Sequence, residues 1–190
     1  ELTVMLLIDV SGSLDFGTSG QLKRECATEI AATLAFSAIQ NNDKIGVIFF
    51  SDYIEKYIAP KKGRKHILYL IREMLTFTPN SKRTDVGVSL EYLNKVMKRR
   101  CTAFVISDFY TRKDFSQELR IANKKHDVVA IQIYDPRAKE MPDVGLMKVV
   151  DAETGHEMYI DTHDARLRKV HNKYWEEREI RLHEMLSQSH

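Results

Sequence analysis

Thr3-Val-Met-Leu-Leu-Ile8, followed at once by Asp9-Val10-Ser11-Gly12-Ser13, is the stretch that decides how this chain folds. A continuous apolar run with no polar alternation reads as a strand buried on both faces, and it stops abruptly at an aspartate. Working outward, a helical segment rich in Ala and Leu runs from about Gln21 to Gln40, and Ile45 to Phe50 repeats the buried-strand pattern. Tyr53 to Ile58 alternates enough for a half-exposed edge strand before Pro60. Ile67, Leu68, Ile71, Met74 and Leu75 form the stripe of a second helix, and Val86 to Lys98 a third, with Val88, Leu90, Leu93 and Met97 inward. Ala103 to Ile106 is a strand that ends at Asp108, Phe115 to Lys125 is helical, and Val128 to Tyr134 is again a strand. Leu146 to Val150 and Glu157 to Ile160 flank Asp151-Ala152-Glu153-Thr154-Gly155, a hairpin signal. From His163 a charged helix runs to the C-terminus, its stripe of Leu167, Val170, Tyr174, Leu182, Met185 and Leu186 interrupted at Arg178. Such a helix is expected to cover the sheet, with docking of a partner through Trp175 as the alternative.

Buried strands alternating with helices predict an α/β fold: a doubly wound, mostly parallel sheet with helices on both faces and one antiparallel edge strand. No repeat or Pro/Gly-rich linker divides residues 1–190, so one domain is expected, closed by the helix at 163–190. The 43% of hydrophobic residues suits a single full core. Against 29 basic side chains stand 27 acidic ones, a net charge of +2, too near balance for charge-driven binding of nucleic acid or membrane. The local basic clusters, Lys61-Lys62-Gly63-Arg64-Lys65 and Lys98-Arg99-Arg100, have no aromatic platform beside them. The first reads as a loop entering a helix and the second as a helix C-terminus. No apolar run is long enough for a bilayer and no signal peptide is present. The chain begins without Met, two residues from a core strand, so it is expected to be a piece of a longer polypeptide whose other segments include any membrane anchor.

Cys26 falls about two turns into the first helix, roughly 10 Å from the top of the sheet. Cys101 begins the strand that ends at Asp108, roughly 20 Å or more from that top. A disulfide needs Cα atoms within about 7 Å, so two free, mostly buried thiols and a reducing compartment are expected.

In doubly wound sheets ligands bind beyond the carboxyl ends of the strands, where the winding reverses. Two strands here end in aspartate, Asp9 and Asp108. Asp9-Val10-Ser11-Gly12-Ser13 puts three oxygen-bearing side chains at alternate positions, and Gly12 permits a tight backbone path. Mg²⁺ takes oxygen ligands in an octahedron at about 2.1 Å and keeps some water. Carboxylates and hydroxyls arranged in this way supply those atoms. A strand-end Asp with Ser residues capping the next turn is the plainer reading of the same motif.

Asp9-Val-Ser-Gly-Ser13, Thr84-Asp85 opening a helix, and Ile106-Ser107-Asp108 closing a strand resemble the three loops of the metal-ion-dependent adhesion site of von Willebrand factor A domains. The resemblance implies Ser11 and Ser13 as direct ligands of Mg²⁺ (Mn²⁺ or Ca²⁺ as alternatives). It implies Thr84 as a direct or water-bridged ligand, and Asp9 and Asp108 mainly as water-bridged carboxylates. The sixth position is left for a Glu or Asp of a partner protein. A closer resemblance, carried by DVSGSLDFGT, NDKIGVIFFSD, RTDV, ISDF and VDAETG, runs over nearly the whole chain. These stretches are similar to bacterial proteins once filed as domain of unknown function 58, which implies partnership with a MoxR-type AAA+ ATPase at the cytoplasmic face. Related domains carry small residues before the Thr, whereas this chain has Lys82-Arg83. Arg83 repels the ion slightly or helps receive an acidic partner, and Asp85 is expected to cap the helix that it begins.

A Mg²⁺-dependent hydrolase or phosphatase is the enzymatic alternative. No phosphate loop of the G-x-x-x-x-G-K-[ST] or G-x-G-x-x-G kind occurs in the sequence. His156, His163 and His171 read as surface residues, since no Cys or third ligand converges on them. A structural domain with a vestigial metal site is the remaining alternative.

Overall fold

The computed structural model describes residues 2–15, 23–111, 113–151, 154 and 156–187. Its axis is β1 (Thr3–Asp9), buried from Met5 to Asp9. On one side β1 pairs in parallel with β2 (Lys44–Phe50), register Ile8 to Phe49, and on the other with β4 (Thr102–Ser107), register Ile8 to Ile106. β5 (Asp127–Gln132) extends the sheet in parallel beyond β4, and β3 (Ile54–Lys61) lies antiparallel at the β2 edge, giving the order β3-β2-β1-β4-β5. The winding therefore reverses between β1 and β4, as the alternation of strands and helices predicts.

Alternate residues of the buried β1 feed two cores. Met5 and Leu7, with Ile48, Phe50, Ala103 and Val105, face α3 (Val86–Val96), α4 (Ser116–Lys125) and Leu182 of α6 (Ala165–Ser187). Leu6 and Ile8, with Val47, Phe49 and Ile106, face the alanines of α1 (Lys23–Gln40) and the apolar side of α2 (Arg64–Thr76). Ala27, Ala31, Ala35 and Ala38 make α1's buried stripe, small side chains that let the helix lie close on the sheet.

Several elements depart from the sequence expectation. The start predicted for α1 at Gln21 lies outside the described residues. β3 runs on through Pro60 because an edge strand tolerates a residue with no N–H to donate. Beside it the register with β2 shifts at Gly46, where an added Cβ would come within 2.7 Å of the Ile58 carbonyl oxygen and 2.8 Å of the Pro60 nitrogen. On α2 the buried residues are Ile67, Leu70 and Met74, while Leu68 and Leu75 are exposed. The predicted stripe was skewed because the segment is apolar on more than one side. α3 ends at Val96 with Met97 as its cap, so Lys98-Arg99-Arg100 follows the helix, and Val88 is only half-buried. β5 begins at Asp127 and ends at Gln132; Ile133 keeps one ladder bond, its N–H donating to the Ser107 carbonyl at 2.9 Å.

β6 (Leu146–Val150) and β7 (Glu157–Asp161) pair antiparallel as a separate two-stranded sheet, and the Ala152, Glu153 and Gly155 of the expected turn lie outside the described residues. Beyond β5, α5 (Pro136–Lys139) is a single turn that contacts α6. In α6 the apolar stripe holds at Leu167, Leu182, Met185 and Leu186 and is corrected between them. Val170 and Tyr174 face outward, and the half-buried line is His171, Trp175, Arg178 and Glu179, leading to buried Leu182. Arg178, which breaks the apolar pattern, points inward because its guanidinium lies 4.5 Å from the ring centres of both Tyr110 and Trp175. Cys26 is half-buried, Cys101 is buried, and both are free thiols. Among the described residues no helix is long and apolar enough to cross a membrane.

Candidate metal centre

Three loops meet at the carboxyl ends of β1 and β4. After Asp9 the chain keeps one more ladder bond, Val10 N–H to the Phe50 carbonyl at 2.9 Å, then tightens into a 3₁₀ turn over Gly12–Asp15. The Ser11 amide donates to Asp9 Oδ1 at 2.8 Å, which fixes the first bend. Gly12 N–H donates to the Lys82 carbonyl at 3.1 Å and ties this loop to the one ahead of α3. That second loop delivers Thr84, whose hydroxyl donates to Ser11 Oγ at 2.7 Å; Ser11 Oγ lies 3.1 Å from Ser13 Oγ. The hydroxyls of Ser11, Ser13 and Thr84 thus form one buried chain. Asp85, next along, is the N-cap of α3, its side chain accepting from Val88 N–H and pairing with Lys113. It has the capping role expected of it. Arg83 is exposed beside Thr84.

From the third loop comes Asp108. Its Oδ1 accepts from Tyr110 N–H at 2.9 Å and its Oδ2 from Lys23 Nζ at 2.9 Å. Asp9 is 1% exposed and Asp108 3%. Burial first, then repulsion from Asp108, pushes the Asp9 carboxyl up to about 7, although hydrogen bonds from Ser107 and Ser11 pull the other way. An Asp9 carboxyl that resists ionisation this way, buried near Asp108, marks a place where positive charge would be stabilising. The fit to Mg²⁺ follows from the chemistry of the donors, linked hydroxyls with carboxylates on the adjoining strand ends, where Lys23 already supplies one positive charge to Asp108. Ser11, Ser13 and Thr84 would hold the ion, and Asp9 and Asp108 would balance it. Bound there, the ion would supply Lewis acidity. A cleft of about 390 Å³ reaches the site, with Ser13, Lys23, Asp108, Tyr110, Trp175 and Arg178 among its lining residues.

Supporting residues that the sequence did not disclose surround these five. Ser107 donates to Asp9 Oδ2 at 2.5 Å and accepts from Phe109 N–H at 2.9 Å, linking β1 to the third loop. Phe109 adopts φ +53°, rare for a bulky residue, and its buried ring stacks on Phe115. Arg178 donates to the Asp108 carbonyl at 2.8 Å. Glu55 organises the Thr84 loop: its carboxylate accepts from Ser51 Oγ, from the amides of Asn80 and Ser81, from the Asn80 side chain and from the Tyr53 hydroxyl, all within 3.1 Å. These bonds, opposed by burial, hold its carboxyl below the usual range. Only tertiary structure brings Glu55 to that loop, since 25 residues separate it from Asn80. The histidines do not converge here: His163 pairs with Asp143, His171 Nε2 lies 2.9 Å from the Ala138 carbonyl oxygen, and His156 is exposed.

Comparison with known proteins agrees with this architecture. The family model described as "Protein of unknown function DUF58" matches residues 1–180. The chain belongs to that family. A relative named uncharacterized protein Rv1480, from Mycobacterium tuberculosis, is 34% identical over 157 residues, 82% of this chain and 50% of the relative. DUF58 members of this kind are longer, and the chain spans about half the length of the curated relatives it matches first. Among solved structures, an aerotolerance-related membrane protein of Bacteroides fragilis superposes with TM-score 0.64 at 15% identity, covering 91% of this chain and 87% of that one. The SpRpn10 VWA domain gives 0.53 at 16% identity, with 69% and 74% covered. Proximal thread matrix protein 1 of the mussel byssus, in a form whose metal-ion-dependent adhesion motif is occupied by zinc, gives 0.55 at 16% identity, with 70% and 38% covered. At these identities the likeness is one of fold: a von Willebrand factor A-like α/β domain.

Proposed function

We propose that this DUF58 domain is a divalent-cation-dependent protein-interaction module, which holds Mg²⁺ on Ser11, Ser13, Thr84, Asp9 and Asp108 and receives a Glu or Asp of a partner protein. The observation that carries the reading is the buried hydroxyl chain of Ser11, Ser13 and Thr84, in loops that adjoin the strand ends carrying two buried carboxylates. Weak ligands of this kind leave the ion strongly Lewis acidic, so an outside carboxylate gains by completing the shell. Metal and partner then bind with reciprocal coupling. The adjoining cleft gives a side chain room to approach, and exposed Lys82 and Arg83 suit an acidic segment. Zinc in the equivalent motif of the mussel protein supports divalent-metal chemistry in this fold. The partner proposed is a MoxR-type AAA+ ATPase, met at the cytoplasmic face. The domain is tethered there through parts of a longer protein, as the membrane association of the Bacteroides relative in fold suggests.

The test is capture from native lysate on immobilised domain, with Mg²⁺ or with EDTA, and with Asp9→Ala alongside. The reading expects an ATPase retained with Mg²⁺ and released by EDTA and by Asp9→Ala. Equal recovery under all three conditions overturns the metal-bridged mode.

A further inference from the structure

Lys23 is a lysine that gives up most of its contact with water to meet a carboxylate assigned to the cation site. Its side chain reaches from α1 across the cleft to the third loop, where Nζ lies 2.9 Å from Asp108 Oδ2; the side chains are 15% and 4% exposed. The other oxygen of Asp108 is taken by the Tyr110 amide. Both carboxylate oxygens are therefore engaged, one of them by a positive charge.

We propose that Lys23 is a built-in competitor of the metal, an ammonium that neutralises Asp108 in the metal-free protein and must be displaced or repelled when a divalent ion binds. The proposal rests on the cation reading of the site. Like charges a few ångströms apart in a partly buried setting repel strongly. An ion drawing on Asp108 thus meets both a positive neighbour and a carboxylate whose charge is already spent. Desolvation sharpens the contest, since Nζ leaves a good partner without regaining a full water shell. Lys23 sets the metal affinity low, so that occupancy of the site depends on the added ligation of an incoming carboxylate. In the metal-free protein the same contact joins α1 to the third loop, so its charge stabilises the apo form and opposes the loaded one.

The experiment compares Mn²⁺ binding, read from the EPR signal of free Mn²⁺ and by calorimetry, in wild type, Lys23→Met, Lys23→Arg and Asp9→Ala. Lys23→Met keeps the length of the side chain and removes its charge, and should bind Mn²⁺ about tenfold or more tightly than wild type. Lys23→Arg keeps the charge and should stay within about threefold of wild type. Thermal unfolding in EDTA gives a second readout: Lys23→Met should melt below wild type, and saturating Mn²⁺ should close or reverse that gap. Lys23→Gln serves in place of Lys23→Met if the latter does not fold. Equal or weaker Mn²⁺ binding by the neutral variants, with wild type binding and Asp9→Ala silent, overturns this proposal alone. Absence of Mn²⁺ binding in every protein overturns the cation reading and this proposal together.

Discussion

At the carboxyl end of β4, Asp108 lies buried and close enough to Asp9 of β1 for their charges to interact; at its amino end, Cys101 lies buried with His126, a pair of weaker groups. The lower pair settles its burial by staying neutral. Burial pushes the Cys101 thiol up to about 11 and lowers the His126 imidazole, with the Lys125 charge acting the same way on the histidine. His126 Nδ1 accepts from the Cys101 amide, 3.3 Å away. The upper pair is settled only in part. Asp108 is engaged by a lysine, Asp9 is held near its titration point, and three hydroxyls wait beside them. Buried polar groups are thus common to both ends, but of the two pairs only the upper one consists of carboxyl groups, which a cation would stabilise.

The two ends should answer pH with opposite signs, and this is the largest effect expected. In EDTA, the unfolded Asp9 carboxyl titrates near 3.8 and the folded one near 7. Between these values the folded protein keeps a proton that the unfolded chain has lost, so Asp9's contribution to stability falls as pH rises through that window, by at most about 4 kcal/mol. Below 3.8 both states are protonated and the contribution is level. For His126 the unfolded ring gains a proton below its ordinary value of 6.5 that the folded ring refuses. Its contribution is therefore present above 6.5 and lost as pH falls. Urea unfolding across pH 4 to 8 in EDTA, on wild type, Asp9→Asn and His126→Asn, separates the two. Asp9→Asn should gain on wild type as pH rises, and parallel profiles would break the comparison.

Glu55 sharpens the comparison from outside the ligand set. Glu55→Ala frees the loop that carries Thr84 and should weaken Mn²⁺ binding about tenfold at a stability cost of about 1–2 kcal/mol. Calorimetry reads the first and urea unfolding the second; unchanged affinity would make Glu55 a purely structural residue. Arg178→Ala removes the bond to the Asp108 carbonyl and the stacking on Tyr110 and Trp175, for an expected loss of about 1 kcal/mol in urea unfolding. At the lower end the smallest effect is a null one. Cys101 should stay unmodified by a thiol reagent at pH 8 until the protein unfolds, because the thiolate is scarce and the sulfur buried. Fast labelling of Cys101 in a Cys26→Ala background would show that the lower pair is neither neutral nor closed.

The sequence disclosed the strands that carry the site because their signals are local. TVMLLI ending at Asp9, and a strand ending at Asp108, locate the carboxyl ends and the reversal between them without any tertiary information. Ser11 and Ser13 stood out by their alternate spacing, and Thr84 was singled out only through the family resemblance. The helical stripes of α2 and α6 were harder. Leu68 and Val170 look as apolar as Leu70 and Leu182, and only packing decides which of them is buried. Arg178 was misread as an interruption because its partners, Tyr110 and the Asp108 carbonyl, lie about 70 residues away in sequence. Glu55 and Lys23 are silent for that reason too: a carboxylate on an edge strand and a lysine on a helix have no local mark that sets them apart.

The central claim is that the upper end binds a divalent cation through its hydroxyls and carboxylates. Calorimetric titration of wild type, Asp9→Ala and Asp108→Ala with Mn²⁺ at pH 8, after treatment with EDTA and dialysis, tests it most directly. The account predicts saturable one-to-one binding by wild type and a loss of about a hundredfold or more in both variants. Heat that is absent in wild type, or unchanged when Asp9 or Asp108 is removed, would contradict it.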